Sequence, residues 1–441
     1  MYDIIDLYYT PCRKETAAFR SAILPGERWL QEVFMKLEDA KNILNDIGQE
    51  HVLGFLDELD ESAKESLLDQ ILETDFSVLG RLDEENSGER GAFAPLAAMQ
   101  CSEIESRRGE LYEAGINAIR SGKTAALLLA GGMGTRLGFD HPKGMYNVGI
   151  TRPLYIFECL INNLLDVVKE SETWIRLFIM TSEKNHDDTV SFFKEKDYFG
   201  YKADMVSFFK QKMAPCCDFD GKLYMEAKDR ISTSPNGNAG WYSSMIRAGL
   251  DKILADEGVE WIDVFAVDNV LQRICDPCFV GATVLADVSV GAKVVRKAAP
   301  DEKVGVICTE DGRPSIVEYY ELSQEMMDAK DENGDPAYNY GVILNYLFKT
   351  SELSKVTDDK MPLHVVRKKI PYITESGEPV KPTEPNGFKF EQLVLDMIHQ
   401  LSTCLPYEVV RENEFAPIKN LTGIDSVDSA RELLKKNGVE L

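Results

Sequence analysis

The sequence predicts an α/β fold with a mostly parallel, doubly wound sheet, preceded by a helical N-terminal region and followed by a short C-terminal segment. Two observations support this prediction. From Thr124 onward, uninterrupted apolar runs alternate with longer amphipathic stretches, as in parallel strands covered by helices. Before that point, leucine and isoleucine recur at three- and four-residue spacing among acidic residues, for example from Leu53 to Glu73, which is typical of helices.

The predicted elements follow in chain order. In the helical region, residues 1–115, Ser62 ahead of Ala63 has the pattern of a helix N-cap, and Gly88 to Ala94 is a turn-rich link. Residues 116–400 form the predicted α/β domain, and residues 401–441 hold a turn-rich segment and one helix. The predicted strands are Ala125–Leu129, Arg176–Met180, Met205–Phe209, Asp263–Val267, Val304–Cys308 and Ser315–Tyr319. The predicted helices are Leu154–Lys169, Asp187–Lys196, Gly240–Ala255, Phe390–Leu401 and Asp428–Asn437.

Composition limits the classes of function. The 441 residues carry a formal net charge of −25. Nucleic-acid-binding proteins normally carry a basic stripe, which this sequence lacks, and so acidic a surface repels anionic membranes. The sequence shows no signal-peptide pattern and no apolar run of membrane-spanning length, and its nine cysteines are scattered. We therefore expect a cytoplasmic protein without nucleic-acid or membrane partners.

A glycine-rich turn, Gly131-Gly132-Met133-Gly134, follows the strand predicted to end at Leu129. Glycine lets a ligand approach the main chain, and successive N–H groups in such a turn form a nest for anions. Two common phosphate motifs do not match. Leu137 stands where the dinucleotide fingerprint needs a third glycine, and Asn117 stands where the Walker motif needs its first.

Two cations, Arg136 and Lys143, follow on the same excursion of the chain. A guanidinium and an ammonium that converge on a glycine turn are suited to hold a triphosphate and to neutralise developing charge. The alternative is a tight turn with two solvated cations. The turn alone leaves both interpretations open.

The turn and its cations resemble the signature of the UDP-sugar pyrophosphorylases. The continuation Pro142-Lys143-Gly144-Met145-Tyr146 resembles the eukaryotic-type UDP-N-acetylhexosamine (UDP-N-acetylglucosamine) pyrophosphorylases, and the resemblance covers roughly residues 45 to 425. Further segments recur in the family's order, among them Ser234-Pro235-Asn236-Gly237-Asn238-Ala239-Gly240, Val267-Asp268-Asn269, Val317-Glu318-Tyr319, Pro385-Asn386-Gly387 and Phe415-Ala416-Pro417-Ile418-Lys419-Asn420.

The resemblance implies a Rossmann-like nucleotidyltransferase in which a sugar 1-phosphate attacks the α-phosphate of UTP and pyrophosphate leaves. Such chemistry depends on alignment and charge neutralisation. Arg136 would hold the departing phosphates, and Lys143 would span the α-phosphate and the incoming phosphate. Lys419, buried in an otherwise apolar run, would close over them, unless it is a solvated lysine on a turn.

The resemblance also implies a metal ligand. Asp268 ends an apolar strand, at the edge of a parallel sheet where ligands bind. A carboxylate among phosphates would hold Mg²⁺, which prefers oxygen ligands. The alternative is a strand-end residue that caps the next turn.

The nucleotide-binding residues implied by the resemblance lie in the glycine turn and in two later segments. Gln211 would pair with uracil, or else be a solvated strand end. Asn238 would line the nucleoside, although it is also a natural N-cap for the helix that follows it. The full set is Leu129, Gly131, Gly132, Gly134, Gln211, Gly237 and Asn238.

The implied sugar site departs from the family. Its residues are Gly305, Glu318 and Tyr319, together with Val342, which replaces the family's asparagine. A strand with an exposed glutamate and a buried tyrosine is the alternative for Glu318 and Tyr319. Two phenylalanines and one glycine of the family are also replaced, by Leu393, Leu395 and Ala239. The sugar, whether N-acetylglucosamine, N-acetylgalactosamine, glucose or galactose, therefore stays open.

Three functions remain. The first is a Mg²⁺-dependent uridylyltransferase that makes UDP-N-acetylglucosamine, or another UDP-N-acetylhexosamine, and pyrophosphate from UTP and the sugar 1-phosphate. The second is the same chemistry on glucose or galactose 1-phosphate. The third is a non-catalytic regulator that binds nucleotide sugars, against which the cations and Asp268 argue, because a pure binder needs no cation on a leaving group. We expect a monomer or weak homo-oligomer.

One further motif points elsewhere. Cys275-Asp276-Pro277-Cys278 has the spacing of half a zinc site, but the sequence holds no second such pair. We interpret this motif as a strand-to-helix turn.

Overall fold

The computed structural model describes residues 25–84, 90–356 and 361–441, so the predicted link from Gly88 to Ala94 lies partly outside the described residues. The chain divides into two compact units. The smaller unit takes in the described residues up to Leu79 together with 215–233 and 367–389, and the larger unit takes in the rest. The predicted division at residues 115 and 400 stays a prediction.

The α-helices lie mostly where the periodicity predicts them. They are α1 (Pro25–Asp46), α2 (Glu61–Glu73), α3 (Cys101–Ser106), α4 (Arg108–Arg120), α5 (Ile156–Ser171), α6 (His186–Glu195), α7 (Trp241–Arg247), α8 (Asp251–Asp256), α9 (Pro277–Ala286), α10 (Gln324–Asp328), α11 (Val394–Gln400), α12 (Arg411–Glu414) and α13 (Val427–Lys436).

The strands, in chain order, are β1 (Phe93–Pro95), β2 (Thr124–Leu129), β3 (Arg176–Thr181), β4 (Val206–Lys210), β5 (Met213–Pro215), β6 (Cys217–Asp218), β7 (Met225–Ala227), β8 (Arg230–Ile231), β9 (Thr233–Pro235), β10 (Trp261–Ala266), β11 (Val290–Arg296), β12 (Val306–Glu310), β13 (Arg313–Val317), β14 (Tyr340–Lys349), β15 (His364–Lys368), β16 (Tyr372–Ile373), β17 (Pro379–Val380), β18 (Gly387–Glu391) and β19 (Cys404–Glu408).

A ten-stranded sheet forms the centre of the larger unit. Its main path runs β1-β12-β14-β10-β2-β3-β4, and β11, β13 and β19 pair off this path. The strands β10, β2, β3 and β4 are parallel, and all residues of β2 are buried. Helices and apolar side chains cover both faces, with Phe157 and Phe279 on one and Trp241 and Met397 on the other. The predicted α/β fold is confirmed.

The other pairs of the main path are antiparallel, which makes the sheet mixed. β14 pairs antiparallel with β10, β11 and β12, and β12 forms a hairpin with β13. In that hairpin Glu310 faces Arg313, and the two loop residues Asp311 and Gly312 have φ values of 50° and 78°. Positive φ at both loop residues is what a type I′ turn requires, and Asp-Gly is a preferred sequence for it.

Two predicted helix features are wrong. Asp60, not Ser62, is the N-cap of α2, because the Asp60 backbone is extended and its carboxylate accepts a hydrogen bond from the Ala63 N–H at 2.9 Å. The helix predicted over Gly240–Ala255 is two helices, α7 and α8. Gly249 lies between them with a φ of 69°, a left-handed conformation that ends a helix.

The C-terminal residues belong to the larger unit. β19 pairs in parallel with β11, and α13 buries Val427, Ala430 and Leu434 in the main apolar core. The segment between them is therefore held at both ends.

The smaller unit has its own core. Leu44 of α1 and Leu67 of α2 pack with Leu223 and Ile231. Gln49 ties the helical part to the later chain, because its amide donates to the Gly221 carbonyl at 3.1 Å and accepts from the Leu223 N–H at 2.9 Å. Of the helices that the structure describes, none is both long and apolar enough to cross a membrane.

Candidate functional site

The glycine turn after β2 is held by main-chain hydrogen bonds. The Gly132 carbonyl accepts from the Lys143 N–H at 3.1 Å, and the Gly134 N–H donates to the His141 carbonyl at 2.9 Å. The excursion between them therefore returns to its start, and Lys143 lies beside the turn. Asn185 fixes the turn from outside, since its side chain donates to the Ala130 carbonyl at 2.8 Å.

Gln211 lies directly against this turn. A Cβ atom on Gly131 would stand 2.7 Å from the Gln211 side-chain nitrogen and 2.8 Å from its oxygen, so the position accepts only glycine unless the amide moves. Gln211 follows β4, where its N–H donates to the Thr181 carbonyl at the end of β3 at 2.8 Å. Its side chain is only 5% exposed and forms no hydrogen bond within the described part of the chain.

The predicted phosphate-binding side chains converge on Lys143. This lysine is half-buried, and its pKa is lowered by burial and by the nearby cations Lys419 and Arg136, while Asp268 opposes the shift. Arg136 is exposed and forms no ion pair with another described residue. Three cations and one carboxylate thus share a small volume beside the glycine turn, and such a cluster favours binding of a polyanion.

The C-terminal segment reaches this cluster through Asn269. The Asn269 side chain, 2% exposed, donates to the Glu414 carbonyl at 2.7 Å and accepts from the Ala416 N–H at 2.9 Å. The Asp268 carbonyl accepts from the Ile418 N–H at 2.9 Å. These bonds fix residues 414–418 against the end of β10. Asn269 is part of the Val267-Asp268-Asn269 segment, but the sequence alone predicted no role for it.

Lys419 differs from the prediction that it is buried. It is 41% exposed and forms an ion pair with Asp425, with 3.0 Å between Nζ and Oδ2. The Asp425 carbonyl also accepts from the Lys419 N–H at 2.7 Å, and Asp425 has a φ of 53°. The turn from Lys419 to Asp425 leaves the apolar run and brings the lysine to the surface.

A second group of predicted residues lies around Glu318. The Gly305 carbonyl accepts from the Val342 N–H at 2.9 Å, and a Cβ on Gly305 would stand 3.5 Å from a carboxylate oxygen of Glu318. Glu318 is half-buried, whereas Tyr319 is exposed. This is the reverse of the pattern expected from an ordinary strand with an outward glutamate and an inward tyrosine.

Gly237 and Asn238 meet the start of α11. Gly237 has a φ of 75°, and a Cβ there would stand 2.1 Å from the Gln392 carbonyl oxygen, so only glycine fits. The Asn238 side chain accepts from the Val394 N–H at 2.8 Å. Its capping role is therefore on α11 and not, as the sequence suggested, on the helix that follows it, whose N-cap is Gly240.

The comparisons with known proteins identify the family. Residues 97–439 match the family described as UTP–glucose-1-phosphate uridylyltransferase. The chain belongs to this family. It is 37% identical over 409 residues to the UDP-N-acetylhexosamine pyrophosphorylase-like protein 1 of Mus musculus, which covers 87% of this chain and 80% of the mouse protein. It is 36% identical over 329 residues to the UDP-N-acetylglucosamine pyrophosphorylase of Saccharomyces cerevisiae, which covers 72% of this chain and 69% of the yeast protein.

A solved structure agrees with these relatives. The uridine diphosphate N-acetylglucosamine pyrophosphorylase of Trypanosoma brucei, crystallised with an inhibitor, matches with a TM-score of 0.78 at 27% identity. The match covers 90% of this chain and 84% of that chain. The resemblance drawn from the sequence motifs is thereby confirmed.

Within this uridylyltransferase fold, the cysteine pair is part of the framework. Cys275 and Cys278 are buried, and the Asp276 side chain accepts from the Cys278 N–H at 3.0 Å as the N-cap of α9. The interpretation as a strand-to-helix turn is confirmed. Among the residues that the structure describes, no group of three or more histidine, cysteine, aspartate or glutamate side chains is arranged to hold a metal.

Proposed function

We propose that this chain is a uridylyltransferase that converts UTP and an N-acetylhexosamine 1-phosphate, foremost N-acetylglucosamine 1-phosphate, into the UDP-sugar and pyrophosphate. The observation that carries this proposal is the cluster of Arg136, Lys143 and Lys419 around Asp268, at the turn against which Gln211 lies. A neutral or cationic substrate would gain nothing from three converging cations. The names of the relatives support the choice of sugar.

In the proposed reaction, a phosphate oxygen of the sugar 1-phosphate forms a bond to the α-phosphorus of UTP while the bond from that phosphorus to the bridging oxygen breaks. The electron pair leaves with pyrophosphate. Lys143, fixed beside Gly132, holds both reacting phosphates in line. Arg136 and Lys419 neutralise the charge that develops on the leaving group.

The residues fit a single Mg²⁺ ion bound jointly with the nucleotide. The half-buried Asp268 side chain forms no hydrogen bond to another described residue, so its oxygens are available for coordination. Mg²⁺ in nucleotide enzymes is commonly held by one or two carboxylates and by substrate phosphates. When bound, the ion would neutralise phosphate charge. The chain's own part is to place Asp268 opposite Lys143.

Uridine selection is assigned to Gln211. A buried amide without a protein partner presents one donor and one acceptor, and uracil offers the complementary edge. Leu129, Gly131, Gly132 and Gly134 bring main chain against the nucleotide, and Gly237 and Asn238 hold the start of α11 beside Gln392.

Glucose or galactose 1-phosphate is the second candidate substrate. Val342 offers no side-chain hydrogen bond, and half-buried Leu393 and Leu395 stand where the family resemblance expects phenylalanines. Both features favour a looser sugar site. The eight free cysteines among the described residues support a reducing compartment such as the cytoplasm, and a monomer or weak homo-oligomer remains our proposal for the assembly.

The test is pyrophosphate release from UTP with Mg²⁺ across N-acetylglucosamine, N-acetylgalactosamine, glucose and galactose 1-phosphates. We expect turnover with at least one N-acetylhexosamine. Binding of UDP-sugars without any pyrophosphate release would instead support the non-catalytic regulator.

A further inference from the structure

A buried carboxylate and a histidine form a pair next to Glu318. The His364 Nε2 atom, at the start of β15, lies 2.9 Å from the Asp396 Oδ2 atom on α11. The same oxygen accepts from the Leu393 N–H at 3.0 Å, so Asp396 is fixed by the first turn of its own helix. The Asp396 side chain is 8% exposed and that of His364 is 30% exposed, which limits the motion of the pair.

Glu318 is in an unfavourable place for a charge. Burial raises its pKa, and the neighbouring carboxylates Glu321 and Asp396 raise it further. A hydrogen bond from the Tyr319 backbone acts in the opposite direction and offsets these effects only in part. The remaining titratable neighbours are Tyr320 and, on β14, the buried Tyr346, both of which have raised pKa values and stay neutral.

His364 is the neighbour that counteracts this environment. Its pKa is raised, first by the hydrogen bond to Asp396 and then by the charges of Glu321 and Glu318, so it carries a proton up to a higher pH than a free histidine does. Its charge in turn lowers the pKa of Glu318. Arg90 does not replace it, because that guanidinium binds Glu321 at 2.8 Å and Glu310 at 3.0 Å.

We propose that His364, oriented by Asp396, is a positioning residue that keeps the Glu318 carboxylate ionised so that it accepts hydrogen bonds from the hydroxyl groups of the sugar 1-phosphate. The proposal rests on the proposed role of Glu318 in the sugar site. A carboxylate accepts hydrogen bonds at both oxygens, whereas in the protonated acid one oxygen becomes a donor and the acceptor capacity for the hydroxyl groups falls. Removal of the histidine charge by substitution therefore raises the pH below which Glu318 is protonated and sugar binding weakens.

The experiment is a pH series of KM for N-acetylglucosamine 1-phosphate and for UTP, followed by pyrophosphate release, on the intact chain. Below the pH at which Glu318 takes up a proton, the sugar KM rises. This rise is the acidic limb of the pH profile of the sugar KM. In His364→Asn the limb should move up by about one pH unit, which raises the sugar KM about tenfold on the limb and leaves the UTP KM within about twofold. His364→Lys, which keeps a positive charge, should restore most of the difference.

The matched control is His399→Asn. His399 lies on the same helix as Asp396, α11, and also faces a carboxylate, with 3.8 Å between its Nδ1 and the Glu310 Oε2 atom. We expect no shift of the limb in this variant. Thermal unfolding of each variant checks the fold, and if His364→Asn does not fold, His364→Gln takes its place with the same expected shift.

Glu318→Gln separates the inference from the proposed role of Glu318. It should raise the sugar KM at every pH and abolish the limb, and His364→Asn should then add nothing. An unchanged sugar KM in Glu318→Gln overturns the assignment of Glu318 to the sugar site. A large effect of Glu318→Gln together with an unmoved limb in His364→Asn, or equal rises of both KM values, overturns the role of His364 alone.

Discussion

The two halves of the candidate site treat charge in opposite ways. Beside the glycine turn, Lys143 lies close to Arg136 and Lys419, and only Lys419 forms an ion pair with a described carboxylate, that of Asp425. Around Glu318, carboxylates outnumber cations, and His364 is paired with Asp396. In the described structure, two of the three cations in the first half lack a carboxylate partner, whereas the second half holds carboxylates together with their own cation.

This difference reflects the ligands that the two halves are proposed to bind. A triphosphate brings its own negative charge, so unpaired cations are neutralised on binding, and the mutual repulsion that they cause in the free protein is relieved. The sugar hydroxyls bring no charge. A carboxylate that recognises them must therefore be kept ionised by the protein itself, before and after the substrate arrives.

The largest expected effect is on the charged half. Asp268→Ala should reduce Mg²⁺-dependent turnover by about three orders of magnitude, because it removes the only carboxylate that faces Lys143 in the described structure. Pyrophosphate release at saturating substrates is the measurement, and chelation of Mg²⁺ should stop the wild type without unfolding it. A variant with near-normal turnover would show that Asp268 does not hold the metal.

Removal of the uracil-reading amide should have a smaller effect. Gln211→Leu keeps the volume against Gly131 but leaves the uracil edge unpaired, which costs about 1–3 kcal/mol, or about 5- to 150-fold in kcat/KM for UTP. The preference for UTP over CTP should fall with it. Equal turnover of UTP, CTP and ATP by the wild type would remove Gln211 from the uracil site.

The sequence predicted the charged half better than the sugar half. The glycine turn, Gln211 and Asp268 each begin within two residues of the end of a predicted parallel strand, and both cations follow the turn in the same motif, so local pattern is enough to place them. His364 lies on β15 and Asp396 on α11. The two residues are 32 positions apart in the chain, so no local spacing predicts their contact. The same is true of Asn269 and Ala416, whose hydrogen bond brings in Lys419.

The antiparallel part of the sheet was missed for a different reason. Both strands of the β12–β13 hairpin were predicted, each shifted by two residues, so that the Asp311-Gly312 turn fell in an unassigned gap. The Asp-Gly signal between two apolar runs was available in the sequence. The exposure of Lys419 had no such signal, since it follows from the left-handed conformation of Asp425 and the turn that this residue closes.

A change in the sugar half should alter selectivity and not rate. A hydroxyl that faces Val342 in the proposed sugar site has no side-chain partner at this position, which costs about 1–3 kcal/mol where no water compensates. Val342→Asn should therefore change the ratios of kcat/KM among N-acetylglucosamine, glucose and galactose 1-phosphates by about tenfold, while KM for UTP stays constant.

The test of Val342 needs the wild-type ratios first. A wild type that already discriminates among these sugars by more than about three decades would contradict the looser site that Val342, Leu393 and Leu395 suggest. Unchanged ratios in Val342→Asn would mean that this position does not face the sugar. Val294→Asn would be no proper control, because Val294 is fully buried in the core, whereas Val342 is only half-buried.

The smallest effect concerns Lys419, whose partner among the described carboxylates is Asp425. Asp425 holds Lys419 at 3.0 Å, and the side chains are 30% and 41% exposed, so the ion pair is weak and sensitive to salt. Asp425→Asn keeps the size of the side chain and tolerates the φ of 53°, and the carbonyl that closes the turn is unchanged. The Asp425 carboxylate then no longer competes with the phosphates for Lys419. We expect KM for UTP to fall by about two- to fivefold at low ionic strength, and the difference from the wild type to disappear at high salt.

A matched control is Asp428→Asn, which removes a carboxylate three residues later whose nearest cation is Arg431 at 3.9 Å. If Asp425→Asn raises KM for UTP, the carboxylate orients Lys419 toward the phosphates, and the charged half would then resemble the sugar half in supplying a partner for each charge.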